Sequence, residues 1–298
     1  MRVDPTYVTS LVSALDLAQG REQQLSNELS SGIRINSLSD DPVAAGQNVL
    51  LLNQIQRDDD FTQTSGTITG QLQVADSALG SVVSQLTQAI SLATRANNGT
   101  MNASDVQAIG NEIAGVLSEV ESLANSNYQG QYIFAGGKTT TQPFTTSTAT
   151  SPAVTTYSGD SDVNYFETPN GQKIQLNVPG EQIFLGAKSV FGVLNNLIAD
   201  FSSGVVNMTQ AQQDTQDLTA TLNYVSQQRV VIDNSITQLT AASSAITTER
   251  TQLMASQTNL MQADLATVAT QLSLSKTQQT ALEAVIAQLG SGSLFDKL

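Results

Sequence analysis

Residues 253–289 read LMASQTNLMQADLATVATQLSLSKTQQTALEAVIAQL and close a run, Val205 to Leu289, that contains neither glycine nor proline. Nothing in the local chemistry of that run stops a helix. At about 1.5 Å per residue it could extend roughly 130 Å, so it cannot fold around itself and needs a lateral partner. Its apolar residues keep the 3–4 spacing of a heptad at Leu218, Leu222, Val225, Ile232, Ile236, Leu239, Ile246, Leu253 and Leu260. Arg229, Ser243, Arg250 and Gln257 occupy seam positions between them. After Leu260 the register slips by one residue to Met261, Leu265, Val268 and Leu272, then resumes at Leu282, Ile286 and Leu289. Polar seam residues weaken pairing and a slip changes its register. The reading is a helix whose partners change along its length.

The other end of the chain supplies a matching helix. Asp4 as cap and Pro5 at the first helical position begin it. Val8, Leu11, Leu15, Ala18, Leu25 and Leu29 form its stripe, flawed at Glu22, and Gly32 is a natural stop. After the polar loop Asn36 to Asp40, a second start falls at Asp41-Pro42. Ile68, Leu72, Ala75, Leu79, Val82, Leu86, Ala89 and Ala93 carry the stripe onward until Asn97-Asn98-Gly99 breaks it. Ser104 or Asp105 is expected to recap the chain, and Val106, Ile109, Ile113, Val116, Val120 and Leu123 give a third stripe.

Between these flanks the period changes from 3.6 to 2. Tyr132-Ile133-Phe134 precedes Gly136-Gly137, and Ile174, Leu176 and Val178 alternate with polar residues after the Asn170-Gly171 turn. Residues 130 to 186 therefore read as a small antiparallel β insert, followed by one short helix through Val190, Leu194, Leu197, Ile198 and Phe201. The fold class expected is mainly α with a small β insert: a long antiparallel helical bundle or coiled coil formed by the N- and C-terminal segments, plus an outer antiparallel β domain. The segments expected are an N-terminal assembly helix at 1–45, helical core at 46–129, the β-rich insert with its short helix at 130–204, helical core at 205–254 and a C-terminal assembly helix at 255–298. Leu79→Asp is expected to unfold the core.

Composition narrows the function. The charged share is 13%, and the net charge of −14 with single, scattered Lys and Arg repels phosphate backbones and anionic membranes. No nucleic acid partner and no membrane insertion are expected; no run reaches the roughly eighteen apolar residues of a span. Cysteine and histidine are both absent, which removes disulfides, thiol catalysis and the commonest metal ligand. Asp4, Pro5 and Asp16 interrupt any signal-peptide core. Three consecutive carboxylates, Asp58-Asp59-Asp60, point in three directions on a helix and read as a solvated face, not a cation site. Ser275-Lys276 lacks the strained turn and oxyanion donors of a nucleophile pair. Gly130, Gly136 and Gly137 read as turns, not as a phosphate loop. Three Asn-X-Ser/Thr triplets, at Asn98, Asn102 and Asn207, read as loop and cap residues, with Thr209 and Gln212 as a capping box. No catalytic, cofactor or metal site is expected. The terminal helices carry seams too thin to offset the entropy of ordering them, so their missing cover is expected from other subunits.

Three blocks carry a family resemblance. Leu29-Ser30-Ser31-Gly32-Ile33-Arg34-Ile35-Asn36, then Ser39-Asp40-Asp41-Pro42-Val43-Ala44-Ala45, resembles the N-terminal signature of the bacterial flagellin family. Within it, Gly130-Gln131-Tyr132-Ile133-Phe134-Ala135-Gly136 with Pro143 and Phe144, then Tyr157-Ser158-Gly159-Asp160 and Gly180-Glu181-Gln182-Ile183-Phe184, is similar to the hook-filament junction branch, the third hook-associated proteins. The C-terminal run from Asp264 to Leu298 resembles that branch too, departing at Lys297 and at Gly290-Ser291-Gly292. The resemblance implies a homo-oligomeric ring joining the first hook-associated protein on one side to flagellin on the other. It implies an extracellular flagellar location, export through the flagellar type III apparatus, and a chaperone on the C-terminal helix beforehand. Val8, Leu11, Leu15, Leu25, Leu29, Leu265, Val268, Leu272, Leu282, Ile286 and Leu289 would then be the assembly stripe. A filament-forming flagellin is the nearest alternative; a secretion-system tip or adhesin protein is a more distant one.

Overall fold

The computed structural model describes residues 5–98, 101–186 and 189–291, the side chains of 5–8 and 289–291 excepted. The expected cap Asp4 and the end departures Gly292 and Lys297 lie outside the described residues. The chain forms two compact units, one from residues up to 58 together with those from 248 onward, the other from 59–247. The expected edges at 45 and 254 both fall inside the first of these.

The first unit holds α1 (Pro5–Ser31), the start of α2 (Pro42–Ala96), the end of α6 (Met208–Met261) and α7 (Leu265–Ser291). Pro42 opens α2 with no N–H to lose, and Asp41 caps it by accepting from the Ala44 N–H at 3.0 Å. Within this unit α2 and α6 run antiparallel, since Asn48 meets Gln257 and Gln54 meets Glu249 across the pair.

The run from Val205 to Leu289 is not one helix. It breaks at Gln262–Asp264, at the register slip. Asp264 caps α7, accepting from the Ala266 and Thr267 N–H groups and from the Thr267 hydroxyl at 2.8 Å. The backbone freed by the break is used at once: Arg34 N–H donates to Met261 O at 2.7 Å, and Ala263 N–H to Gly32 O at 2.9 Å. The start of α6 also differs from the expected box. Asn207 caps it, accepting from the Gln210 N–H.

The second unit contains the rest of α2 and α6, again antiparallel through Asp76 with Arg229 and Asn97 with Thr215, together with α3 (Ala103–Ala124), α4 (Gly180–Phe184) and α5 (Val190–Ser202). Asn102 caps α3 through the Asp105 N–H at 2.9 Å, two or three residues earlier than the Ser104 or Asp105 start expected from the sequence. The β segments are three separate two-stranded hairpins: β1 (Asn127–Tyr128) with β2 (Gln131–Tyr132), β3 (Phe144–Ser147) with β4 (Val154–Tyr157), and β5 (Tyr165–Glu167) with β6 (Lys173–Gln175). The first begins three residues before the expected edge at 130. Its Gln129-Gly130 turn has φ of 53° and 82°, the mirror-image turn that suits the strand twist.

A lone two-stranded hairpin is marginal in water, so each must lean on helices. Phe134, Phe144, Phe184 and Phe191 meet ring to ring at 5.1–5.7 Å. With Ile174, Val178 and Ile183 they join one buried cluster with Leu79, Val82 and Leu86 of α2, Ile113 of α3, Leu197 of α5, and Leu218 and Val225 of α6. Phe166 of β5 stacks on Phe61 of α2 at 5.1 Å. The insert, expected as an outer β domain on the helices, shares a single core with the helices of its unit.

Asp58, expected on a solvated face, is 4% exposed, while Asp60 is exposed. Among the described residues no group of three or more Asp or Glu could hold a metal ion, and no helix is long and apolar enough to cross a membrane.

Candidate assembly surface

α1 and α7 pair antiparallel within one chain. Leu25, Ala263 and Val268 make the only buried cluster of the first unit among the described residues, with Leu272 packed against it. Ser275, far from any nucleophilic role, is buried in this seam and donates to Ala18 O at 3.3 Å. Glu22, the flaw in the stripe, lies 3.9 Å from Lys276. Burying two aliphatic side chains contributes roughly 3–6 kcal/mol, against on the order of 1–2 kcal/mol of backbone entropy for each residue that α1 orders.

The expected stripe divides into three sets. Leu25 and Val268 are buried, and Leu11, Leu15, Leu272, Leu282 and Ile286 are half-buried. Leu29 and Leu265 are 38% and 49% exposed. The side chains of Val8 and Leu289 lie outside the described residues. Residues that no heptad reading had singled out complete the surface: Leu17 is 76% exposed, Leu274 58% and Leu50 69%. Ala14, Leu17 and Ala18 of α1 with Ala281, Leu282 and Val285 of α7 line an open, mainly apolar groove. Leu17 sits two residues from Leu15 on a helix, off the 3–4 seam, which is why a single stripe missed it.

The signature loop is built to hold the two chain ends together. Asp40 accepts from the Asn36 and Ser37 N–H groups at 3.0 and 2.8 Å and from the Ser37 hydroxyl. Those bonds hold its carboxyl below the usual range. Asp41 is lowered in the same way, first by the Ala44 N–H and then by Arg34. Arg34 bridges Asp41 at 3.3 Å and donates its other guanidinium nitrogen to Leu260 O at the end of α6. Gly32 has φ of 69°, as a helix stop in the left-handed region requires. Ile33 pairs with Gln262. Gly32, Arg34, Asp40, Asp41 and Pro42 thus form one staple, from the end of α1 to the end of α6 and the start of α2.

The β signature residues cluster in the second unit. Gly136 has φ of 68°, and a Cβ there would collide with the Asp160 carbonyl. At Gly180 the N–H donates to Phe134 O at 2.8 Å, and a Cβ would come within 2.8 Å of the Phe144 ring. Asp160 accepts from the Gly137 N–H at 2.6 Å. Between them the Tyr157 hydroxyl lies 2.7 Å from Asp160 O and 3.0 Å from Phe134 O. Burial, then the Asp160 charge, pushes Tyr157 up to about 12. Gly159 lies against the Tyr157 ring, and Pro143, Phe144 and Phe184 are buried. Gly130 and Tyr132 belong to the first hairpin. Asn125 was not foreseen: its amide donates to Phe144 O and accepts from Phe144 N–H, both at 2.9 Å, fastening β3 to α3. These are bonds that hold a scaffold.

Residues 8–139 match the model of the bacterial flagellin N-terminal helical region. The chain is 30% identical over 134 residues to flagellar hook-associated protein 3 of Salmonella typhimurium, covering 45% of the chain and 42% of that protein. It is 32% identical over 140 residues to flagellin 1 of Proteus mirabilis, covering 45% of the chain and 37% of that protein. It therefore spans less than half the length of these relatives. Its fold resembles the crystal structure of flagellar hook associated protein-3 from Legionella pneumophila, with a TM-score of 0.62 at 13% identity over 71% of this chain and 98% of that one. That likeness makes mainly α with small antiparallel hairpins the fold of a known class.

Proposed function

We propose that this chain is a structural subunit of the bacterial flagellum at the hook-filament junction, with no catalytic role. It forms a homo-oligomeric ring that meets the first hook-associated protein on one side and flagellin on the other, through the α1–α7 pair and the apolar side chains exposed beside it. The observation that carries the reading is the thinness of that pair: a three-residue buried cluster next to Leu17, Leu50 and Leu274, all more than half exposed. The similarity to hook-associated protein 3 supports the junction position. On this reading the chain is exported through the flagellar apparatus, with a chaperone covering the C-terminal helix until secretion, and works outside the cell.

An electron-microscopy map of the intact hook-to-filament transition tests it. Density for this chain in a short layer between hook and filament is expected; density along the filament would overturn the junction position. The similarity to flagellin 1 favours a filament subunit as the second reading, which prolonged self-polymerisation on seeds would support.

A further inference from the structure

Where α5 hands over to α6, two buried carboxylate oxygens lack a hydrogen-bond donor: Asp200 Oδ2 and Asp214 Oδ2. Asp214 is 3% exposed, and its other oxygen accepts from Gln210 Nε2 at 3.1 Å. The carboxyls of Asp200 and Asp214 lie within hydrogen-bonding reach of each other. With both ionised, neither could donate, and two like charges would face one another out of water. The surroundings offer no relief. Asp217, the further charge acting on Asp214, is also acidic. From α2 comes the neutral Asn97, whose amide donates to Thr215, and from α3 the neutral Gln107, which donates to Ser202 O. Arg95 of α2 and Asp105 of α3 are exposed.

We propose that Asp214 keeps its proton and donates it from its unpartnered oxygen to the unpartnered oxygen of Asp200, forming a carboxyl–carboxylate clamp that ties the last turn of α5 to the first turns of α6 and opens as pH rises. A single proton satisfies both orphan oxygens and halves the buried charge, as in other adjacent carboxyl pairs. Burial and then the neighbouring carboxylates raise Asp214 above its ordinary 3.8. A raised folded value means that the clamp's stability is fully present below 3.8 and is lost as pH climbs through the folded value.

The chain is well suited to exposing such a switch. It has no histidine and no cysteine, so between about pH 6 and 8 little but the α-amino group and a perturbed carboxyl titrates. Tyr157, at about 12, stays clear of that range.

Thermal melts of the full chain from pH 4 to 8 at fixed ionic strength test the clamp. The wild-type Tm is expected to fall by roughly 2–4 °C or more across the range. Asp214→Asn supplies a permanent donor and should melt at a level Tm, whereas Asp217→Asn should keep the wild-type slope. If Asp214→Asn does not fold, Asp200→Asn places the amide on the opposite partner and should give the same level profile. A level wild-type profile, or a slope retained in both Asn variants, overturns the proposal. So does a rise in Tm at pH 8 on adding Ca²⁺ or Mg²⁺ that Asp214→Asn abolishes, which would assign the pair to a divalent cation.

Discussion

Along α2 the same amphipathic pattern meets two environments. In the unit of residues 59–247, Leu79, Val82, Leu86 and Ala89 are fully buried, and α3, α5 and the three hairpins cover them. In the unit made of the two chain ends, Val43, Val49 and Leu50 of the same helix are 72%, 55% and 69% exposed. Thirteen of the eighteen exposed large apolar side chains among the described residues belong to that terminal unit. A stripe is an offer of surface, and what it becomes depends on what else the chain brings to it. The inner unit completes its own core; the terminal unit is finished by other molecules, on the function proposed above.

The contrast can be broken most sharply at Leu79. Replacing it with Asp buries an unpaired charge in a site with no solvent access, and a loss above about 4 kcal/mol is expected. A melt followed by near-UV circular dichroism should show the inner unit unfolded at room temperature. Leu25→Ala, in the thin α1–α7 seam, is expected to cost about 2 kcal/mol, the low end for such truncations, because sparse surroundings relax easily. Its effect should appear as faster amide exchange in α1 and α7 with the main melting transition unmoved. Ile286→Asp goes further in the same direction: half-buried, it should change the melting temperature by less than about 2 °C yet abolish incorporation into flagellar structures. A collapse of the melting temperature in that variant would erase the distinction between the units.

Acid should separate the units by sign. Asp40, Asp41 and Asp264 have lowered carboxyl values from hydrogen bonds in the terminal unit. Their contributions are present above the ordinary 3.8 and are lost as pH falls through the folded values. Asp214 in the inner unit is raised, so its contribution survives acid. Exchange measured from pH 5 down to 2 should show the loop at 32–41 and the start of α7 loosening first.

Much of this was legible in local chemistry. Asp41-Pro42, Gly32, Asn170-Gly171 and the heptads need only near neighbours, and the structure places their turns and helices as read. The break at Gln262–Asp264 was not legible, because it depends on backbone groups of Gly32 and Arg34 that lie more than two hundred residues away in sequence. Asp58 was misread for a related reason: a charge run looks solvated until packing turns one member inward. The first hairpin escaped because Gln129 adopts a left-handed turn usually left to Gly or Asn. In the assembly stripe, the seam side was visible as periodicity, whereas Leu17, Leu50 and Leu274 stand out only once the covered face is known.

The central claim is that the terminal unit is incomplete in one chain. Hydrogen exchange of the dilute monomer, resolved by segment, tests it most directly. Amides of residues 11–29 and 265–286 should exchange orders of magnitude faster than those of 72–93, in line with few buried apolar contacts. Protection of the chain ends equal to that of 72–93 would contradict the account.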